Sequence, residues 1–259
     1  MANFADGNGA QLQNYYLQKG YDIFAIDMTG CGQSTGNGIK SLFESKYCVS
    51  SAVKLIQENE KTKDLPIFLM GHSWGGYGVV AATDEIDGVS AVASFSGYNM
   101  PSDMMYYFAE NYTSKAIAIT KPAMEFGVSC LWGKNAYVTA ESAIKNNLDI
   151  SYVIIHGDND DVVPLNGASI YSHVKEDGYD NVEYQLIEGM NHDAPWKTLS
   201  AMEYTNQYEE DLKKLRKQYN NQLPEEIRQE YLASIDLEKS SALNEPLLDY
   251  IDDIFTSCL

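Results

Sequence analysis

Apolar residues in this chain gather in short runs, and between the runs they recur at every third or fourth position. The strand-like runs are residues 21–27, 65–70, 89–95, 152–155 and 182–187. A strand covered on both faces has no solvent side, so a near-continuous apolar run suits a parallel sheet buried between helices. Helical spacing follows or precedes each run. Residues 41–60 carry Leu42, Val49, Val53 and Ile56 on one stripe, and a second helix is expected from Trp74 to about residue 84. Strands alternating with helices through right-handed crossovers predict an α/β fold, a doubly wound and mostly parallel sheet.

Two stretches break the rhythm. Residues 98–148 are rich in methionine and aromatics, among them Met104, Met105, Tyr106, Tyr107 and Phe108. Most of these side chains are expected to form a small core, and a few to line an apolar pocket, for which methionine is well adapted. Residues 199–259 carry almost no strand signal. Tyr204, Tyr208, Leu212, Leu215 and Tyr219 recur at helical spacing, Pro224 opens a second helix, and Asn244 with Pro246 starts a third. The stripe of that third helix, Leu247, Leu248, Ile251, Ile254 and Phe255, is expected to pack on the sheet.

Candidate chemistry begins where the run at 65–70 ends. Gly71-His72-Ser73-Trp74-Gly75 is a G-x-S-x-G pattern after a strand and before a helix. In that context the serine sits on a strained turn with its hydroxyl at the sheet's C-terminal edge. Gly71 and Gly75 are wanted beside it to avoid collisions, and Gly75 and Gly76 to let the helix lie close to the strands. A serine hydroxyl needs a base, and the base an orienting acid. The chain has four histidines. His72 lies inside the turn, with its side chain expected to point elsewhere. His156 ends a strand and reads as structural, and His173 falls in a polar stretch and reads as a surface residue. His192 follows the run at 182–187 and a short loop, which is where a doubly wound sheet gathers its site residues. The acid belongs between Ser73 and His192. Asp158, Asp160 and Asp161 are all available after the run at 152–155, while Asp193 is too near His192 in sequence to face it. The backbone N–H of Trp74, at the start of a helix, is a candidate oxyanion donor.

Composition narrows the function. A net charge of −19 over 259 residues argues against nucleic acid and against anionic membrane surfaces as partners. The four cysteines have no C-x-x-C spacing, so neither a metal site nor a disulfide framework is implied. No run is long enough to span a membrane, and the first residues have neither the basic nor the apolar region of a signal peptide. A cytoplasmic protein is expected, and a serine, base and acid acting on a small-molecule ester or acyl substrate need no cofactor.

Gly71-His72-Ser73-Trp74-Gly75-Gly76, the segment His156-Gly157-Asp158-Asn159-Asp160-Asp161-Val162-Val163-Pro164, and Gly189-Met190-Asn191-His192 together resemble the α/β-hydrolase superfamily. Within it they are most similar to monoacylglycerol-lipase-like esterases and serine aminopeptidase-like hydrolases. Asp27-Met28-Thr29-Gly30-Cys31-Gly32-Gln33-Ser34 also resembles that superfamily's D-x-x-G-x-G-x-S loop. The resemblance spans roughly residues 3–196 and implies Asp160 as the acid, since the pattern H-G-x-x-D-x-x-V-P places it fifth. It implies a core of residues 1–97 and 149–259, the latter ending in the helical tail, with 98–148 as a helical cap over the serine. It also implies that the first strands are missing and the chain is N-terminally truncated, with Asn3 or Phe4 supplying the second oxyanion donor. The expected activity is ester hydrolysis through an acyl-enzyme intermediate. The alternatives are a serine peptidase acting on short peptides and a truncated, poorly active remnant.

Overall fold

The computed structural model describes residues 9–38, 40–112 and 120–259. The chain divides into two compact units, Met1–Ile23 with Trp196–Leu248, and Phe24–Pro195 with Asp249–Leu259.

Among the described residues the larger unit has four strands, β1 (Ile67–His72), β2 (Val89–Phe95), β3 (Ser151–Gly157) and β4 (Val182–Ile187). They pair in sequence order and all in parallel. Their apolar runs dictate this. Ala91, Val92, Ala93, Tyr152, Val153 and Ile155 are wholly buried, as expected for strands covered on both faces. In the ladders His72 lies opposite Phe95, Phe95 opposite Ile155, and Gly157 opposite Ile187. The C-terminal ends of all four strands therefore meet along one edge.

Helices cover both faces. Leu69 joins a core with Tyr77 and Val80 of α3 (Trp74–Ala81) and with Val49 and Val53 of α2 (Glu44–Glu58). Phe68, one residue earlier, faces the other way. It stacks on Phe255 of α11 (Glu245–Ser257), with ring centroids 4.7 Å apart and planes 5° from parallel. That contact is the expected packing of the last amphipathic helix on the sheet. Between β2 and β3 lie α4 (Pro101–Tyr112), α5 (Lys121–Trp132) and α6 (Ala140–Asn146). Met104 and Tyr106 are buried there, Met105, Tyr107 and Phe108 pack partly on the core, and Phe126 is exposed. α7 (Ile170–Asp177) follows β3, its first turn capped by the Ser169 hydroxyl.

The smaller unit is helical: α1 (Ala10–Gln18), α8 (Leu199–Gln218), α9 (Glu225–Ala233) and α10 (Leu237–Ser241), with the start of α11. Pro224 sits immediately before α9, where its fixed φ suits a helix entry. Leu12, Tyr16 and Trp196 are buried, and the Tyr16 hydroxyl donates to the Leu248 carbonyl at 3.4 Å.

Two expectations need correction. Residues 21–27 are apolar but form no strand. A strand exists only through a partner ladder. Among the described residues β1 pairs with β2 alone, so the run stays outside the sheet with Phe24 more than half exposed. Gly75 does not bring α3 close to the sheet, since a Cβ there would meet nothing within 4 Å. Gly71 and Gly76 are the close-packed positions. A Cβ on Gly71 would lie 2.3 Å from the Gly75 carbonyl oxygen, and one on Gly76 would lie 2.9 Å from that of Phe95.

Candidate active site

Ser73 occupies the residue between β1 and α3, with φ 56° and ψ −114°. That conformation costs a non-glycine residue ~1–3 kcal/mol. The surrounding backbone holds it: the Ser73 N–H donates to the Phe95 carbonyl at 2.8 Å, and its own carbonyl accepts from the Tyr77 N–H at 3.1 Å. Trp74 is the first residue of α3, so its N–H has no acceptor within the helix. Its indole is anchored separately, donating to the Leu42 carbonyl at 2.6 Å.

Asp160 lies in the loop after β3, and His192 in the loop after β4. The two residues are 32 positions apart, and His192 is 119 positions from Ser73. The structure nevertheless brings all three together. His192 Nε2 is 2.8 Å from Ser73 Oγ. Its Nδ1 is 3.0 Å and 2.9 Å from the two carboxylate oxygens of Asp160. A carboxylate accepts only, so Nδ1 carries the proton of the neutral ring and Nε2 is left to accept from the serine hydroxyl.

The carboxylate is itself built into place. Asp160 Oδ1 accepts from the N–H groups of Val162 and Val163 at 3.0 and 2.8 Å. Burial pushes this carboxyl upward, but the hydrogen bond and charge of His192 and the Val163 N–H outweigh it, leaving Asp160 below the usual carboxylate value. Such an arrangement can draw a proton from a serine hydroxyl and stabilise the imidazolium that results.

The neighbouring candidates have other employment. Asp158 accepts from the Gly189 N–H at 2.6 Å, tying the loops after β3 and β4 together. Asp161 is exposed, and its carbonyl accepts from the Tyr107 hydroxyl at 3.0 Å. Asp193 donates its N–H to Asn191 Oδ1. Asn3 and Phe4 lie outside the described residues. A groove of about 890 Å³ runs between residues 24–38 and α2, but none of the three site side chains lines it.

Two histidines belong to the surroundings of the site. His156 is wholly buried, its Nε2 2.9 Å from the Val163 carbonyl and 3.4 Å from Asp160 Oδ2. His72 does not point away, as the sequence reading expects. Its Nε2 is 2.8 Å from the His192 carbonyl, and the two rings lie 4.8 Å apart. The available signal was its place at a strand end, one residue before Ser73. His173 is half-buried, 3.3 Å from the Gly167 carbonyl. Among the described residues, no group of histidine, cysteine and carboxylate side chains is placed to hold a metal, and no helix is long and apolar enough to cross a membrane.

A family model described as serine aminopeptidase, S33 matches residues 7–103, a span that holds Ser73 but neither Asp160 nor His192. No curated protein matches the chain. Among solved structures it is similar to the esterase Pf2001 of Pyrococcus furiosus in several crystal forms. One is 16% identical with a TM-score of 0.55, the match covering 83% of this chain and 77% of that one. A second is 17% identical with a TM-score of 0.53, covering 84% and 78%. Both structures share the α/β-hydrolase fold of this chain.

Proposed function

We propose that this chain, which has the α/β-hydrolase fold, is a serine hydrolase that cleaves carboxylic esters by acyl transfer. The observation that carries this reading is the unbroken line of contacts from Ser73 Oγ through the His192 ring to the Asp160 carboxylate. Ser73 attacks the ester carbonyl as His192 Nε2 takes its proton. The Trp74 N–H donates to the oxyanion. His192 then returns the proton to the leaving alcohol, and an acyl-enzyme remains. Water, deprotonated by the same nitrogen, attacks the acyl carbon; the bond to Ser73 Oγ breaks, His192 returns the proton to that oxygen, and the acid is released. Asp160 keeps the ring in the required tautomer throughout and does not accept the proton itself.

The helices between β2 and β3 are assigned to a cap beside this site. The bond from the Tyr107 hydroxyl of α4 to the Asp161 carbonyl, next to Asp160, supports that assignment. A few of the methionine and aromatic side chains of the segment would then receive the acyl group.

The test is hydrolysis of p-nitrophenyl esters, with fluorophosphonate labelling, by the chain and by Ser73→Ala. Activity and labelling are expected in the first and lost in the second; either one surviving Ser73→Ala removes the serine from its role. The S33 serine aminopeptidase match favours a second reading, cleavage of short peptides by the same residues. Aminoacyl amides in the same assay separate the two, since an amide-only enzyme overturns the esterase reading.

A further inference from the structure

We propose that His72 is a positioning residue, whose side chain clamps the loop of His192 to the strand that carries Ser73. The inference deepens the reading of His192 as the base and rests on it.

The geometry is specific. His72 is the last residue of β1, and it is 9% exposed. Its Nε2 lies 2.8 Å from the carbonyl oxygen of His192, a residue 120 positions away. A carbonyl only accepts, so Nε2 of His72 carries the proton and donates it. Burial, reinforced by the neighbouring His192, holds this ring far below its ordinary pKa, at about 3. The ring is therefore neutral at any working pH, and it brings no positive charge against the imidazolium that forms on His192 during turnover.

What the bond accomplishes follows from where its ends lie. Ser73 is fixed by its neighbours on β1 and by the Phe95 carbonyl. His192 sits in a loop, and a loop is the less rigid support. By holding the backbone carbonyl of His192, the side chain of residue 72 refers the base to the same strand as the nucleophile. The Oγ–Nε2 distance of 2.8 Å is then set by β1 at both ends. An apolar side chain of similar size would fill the space and leave the His192 carbonyl without this donor.

Two variants separate positioning from packing. His72→Gln places an amide N–H at similar reach, while His72→Met keeps the length and loses the donor. With His72→Met, kcat is expected to fall by ~10–100-fold with KM unchanged, the scale of a small misplacement of reacting groups. His72→Gln is expected to recover most of that loss, although both variants change the thermal midpoint alike. Equal activities in the two variants, whether both intact or both lost, would overturn the proposal. Nitrogen-15 spectra of the four histidines give a readout independent of turnover. The ring signals of His192 are expected to broaden or split in His72→Met and to return to one sharp set in His72→Gln. Unchanged His192 signals in His72→Met would overturn the clamp whatever the enzyme does. Loss of the serine-hydrolase reading shows separately, as hydrolysis that survives Ser73→Ala.

Discussion

Gly157→Ala tests how the site is held together without touching any group that takes part in chemistry. Gly157 ends β3, and the loop bearing His192 crosses directly over it. A Cβ on Gly157 would lie 2.2 Å from the Met190 carbonyl oxygen, 2.8 Å from its carbon and 3.1 Å from the Asn191 oxygen. These are backbone atoms, and the Met190 carbonyl is tied down by the Asn159 N–H at 3.1 Å. Ordinary contact begins near 3.4 Å, so the loop must retreat by about 1 Å. His192 is two residues from Met190 and retreats with it. A displacement of that size at a reacting group costs ~10²-fold in rate, which corresponds to ~2.7 kcal/mol of activation free energy. Gly127→Ala is the control, because a Cβ in that helix meets nothing within 4 Å. Steady-state ester hydrolysis, with circular dichroism to verify folding, is the assay. Gly157→Ala is expected to lose about two orders of magnitude in kcat while folded, and Gly127→Ala to lose nothing. A folded Gly157→Ala enzyme with the parent kcat would refute the reasoning.

Three further outcomes are expected. Asp160→Asn keeps the shape but replaces an acceptor that holds two N–H groups and the His192 ring; kcat should drop by ~10³–10⁴, and a loss below tenfold in ester turnover would contradict the assigned role. Phe255→Ala removes a ring that is 3% exposed and stacked on Phe68; chemical denaturation should show a loss of ~3–5 kcal/mol with kcat per folded molecule unchanged. His72 and Asp160 both bind their protons less readily in the folded chain than outside it. For His72 the window runs from its ordinary 6.5 down to about 3. There the unfolded chain holds more protons, so stability is fully present above pH 6.5 and drains as pH falls, by ~1.4 kcal/mol per unit for one such group. His72→Gln should flatten that decline in denaturation curves taken across the window, and an identical slope in the variant would exclude His72 as its source.

The sheet was the most legible part of the chain because its strands are written as apolar runs. Residues 89–95 and 182–187 match β2 and β4 to the residue; β1 begins two residues inside its run and ends past it in Gly71-His72, and β3 adds Ser151 before its run and His156-Gly157 after it. Apolar character alone misled at residues 21–27, where local composition asks for a strand and pairing decides against it. α1 left little sequence signal, having no acidic residue in its first turn and no side-chain cap. Within the site, Ser73 and His192 could be singled out from their places after strands. Asp160 could not be separated from Asp158 and Asp161 by spacing alone. The distinction is three-dimensional: the N–H groups of Val162 and Val163 turn back onto Asp160, while Asp158 turns to Gly189. His72 was illegible for a related reason, since its partner is a backbone carbonyl 120 residues away and carbonyls carry no sequence signature.

Backbone strain in the larger unit is concentrated where the chemistry is assigned. Among the described residues, five that are not glycine take a positive φ. Two are Asn220 and Asn221, of the type that tolerates it. The other three, Ser73, Ser96 and Ala194, belong to the larger unit and follow the ends of β1, β2 and β4. Each is worth ~1–3 kcal/mol of strain. The same edge also buries Ser96 Oγ and His156 Nδ1 without a hydrogen-bond partner, a further ~1–3 kcal/mol for each neutral group. Nothing about a four-stranded parallel sheet requires these expenses, since a glycine at each strained turn and an apolar residue at position 156 would remove most of them. Backbone strain gathered on one edge, around a serine, an imidazole and a carboxylate in mutual contact, is what a fold retains when the positions of those groups matter more than its stability.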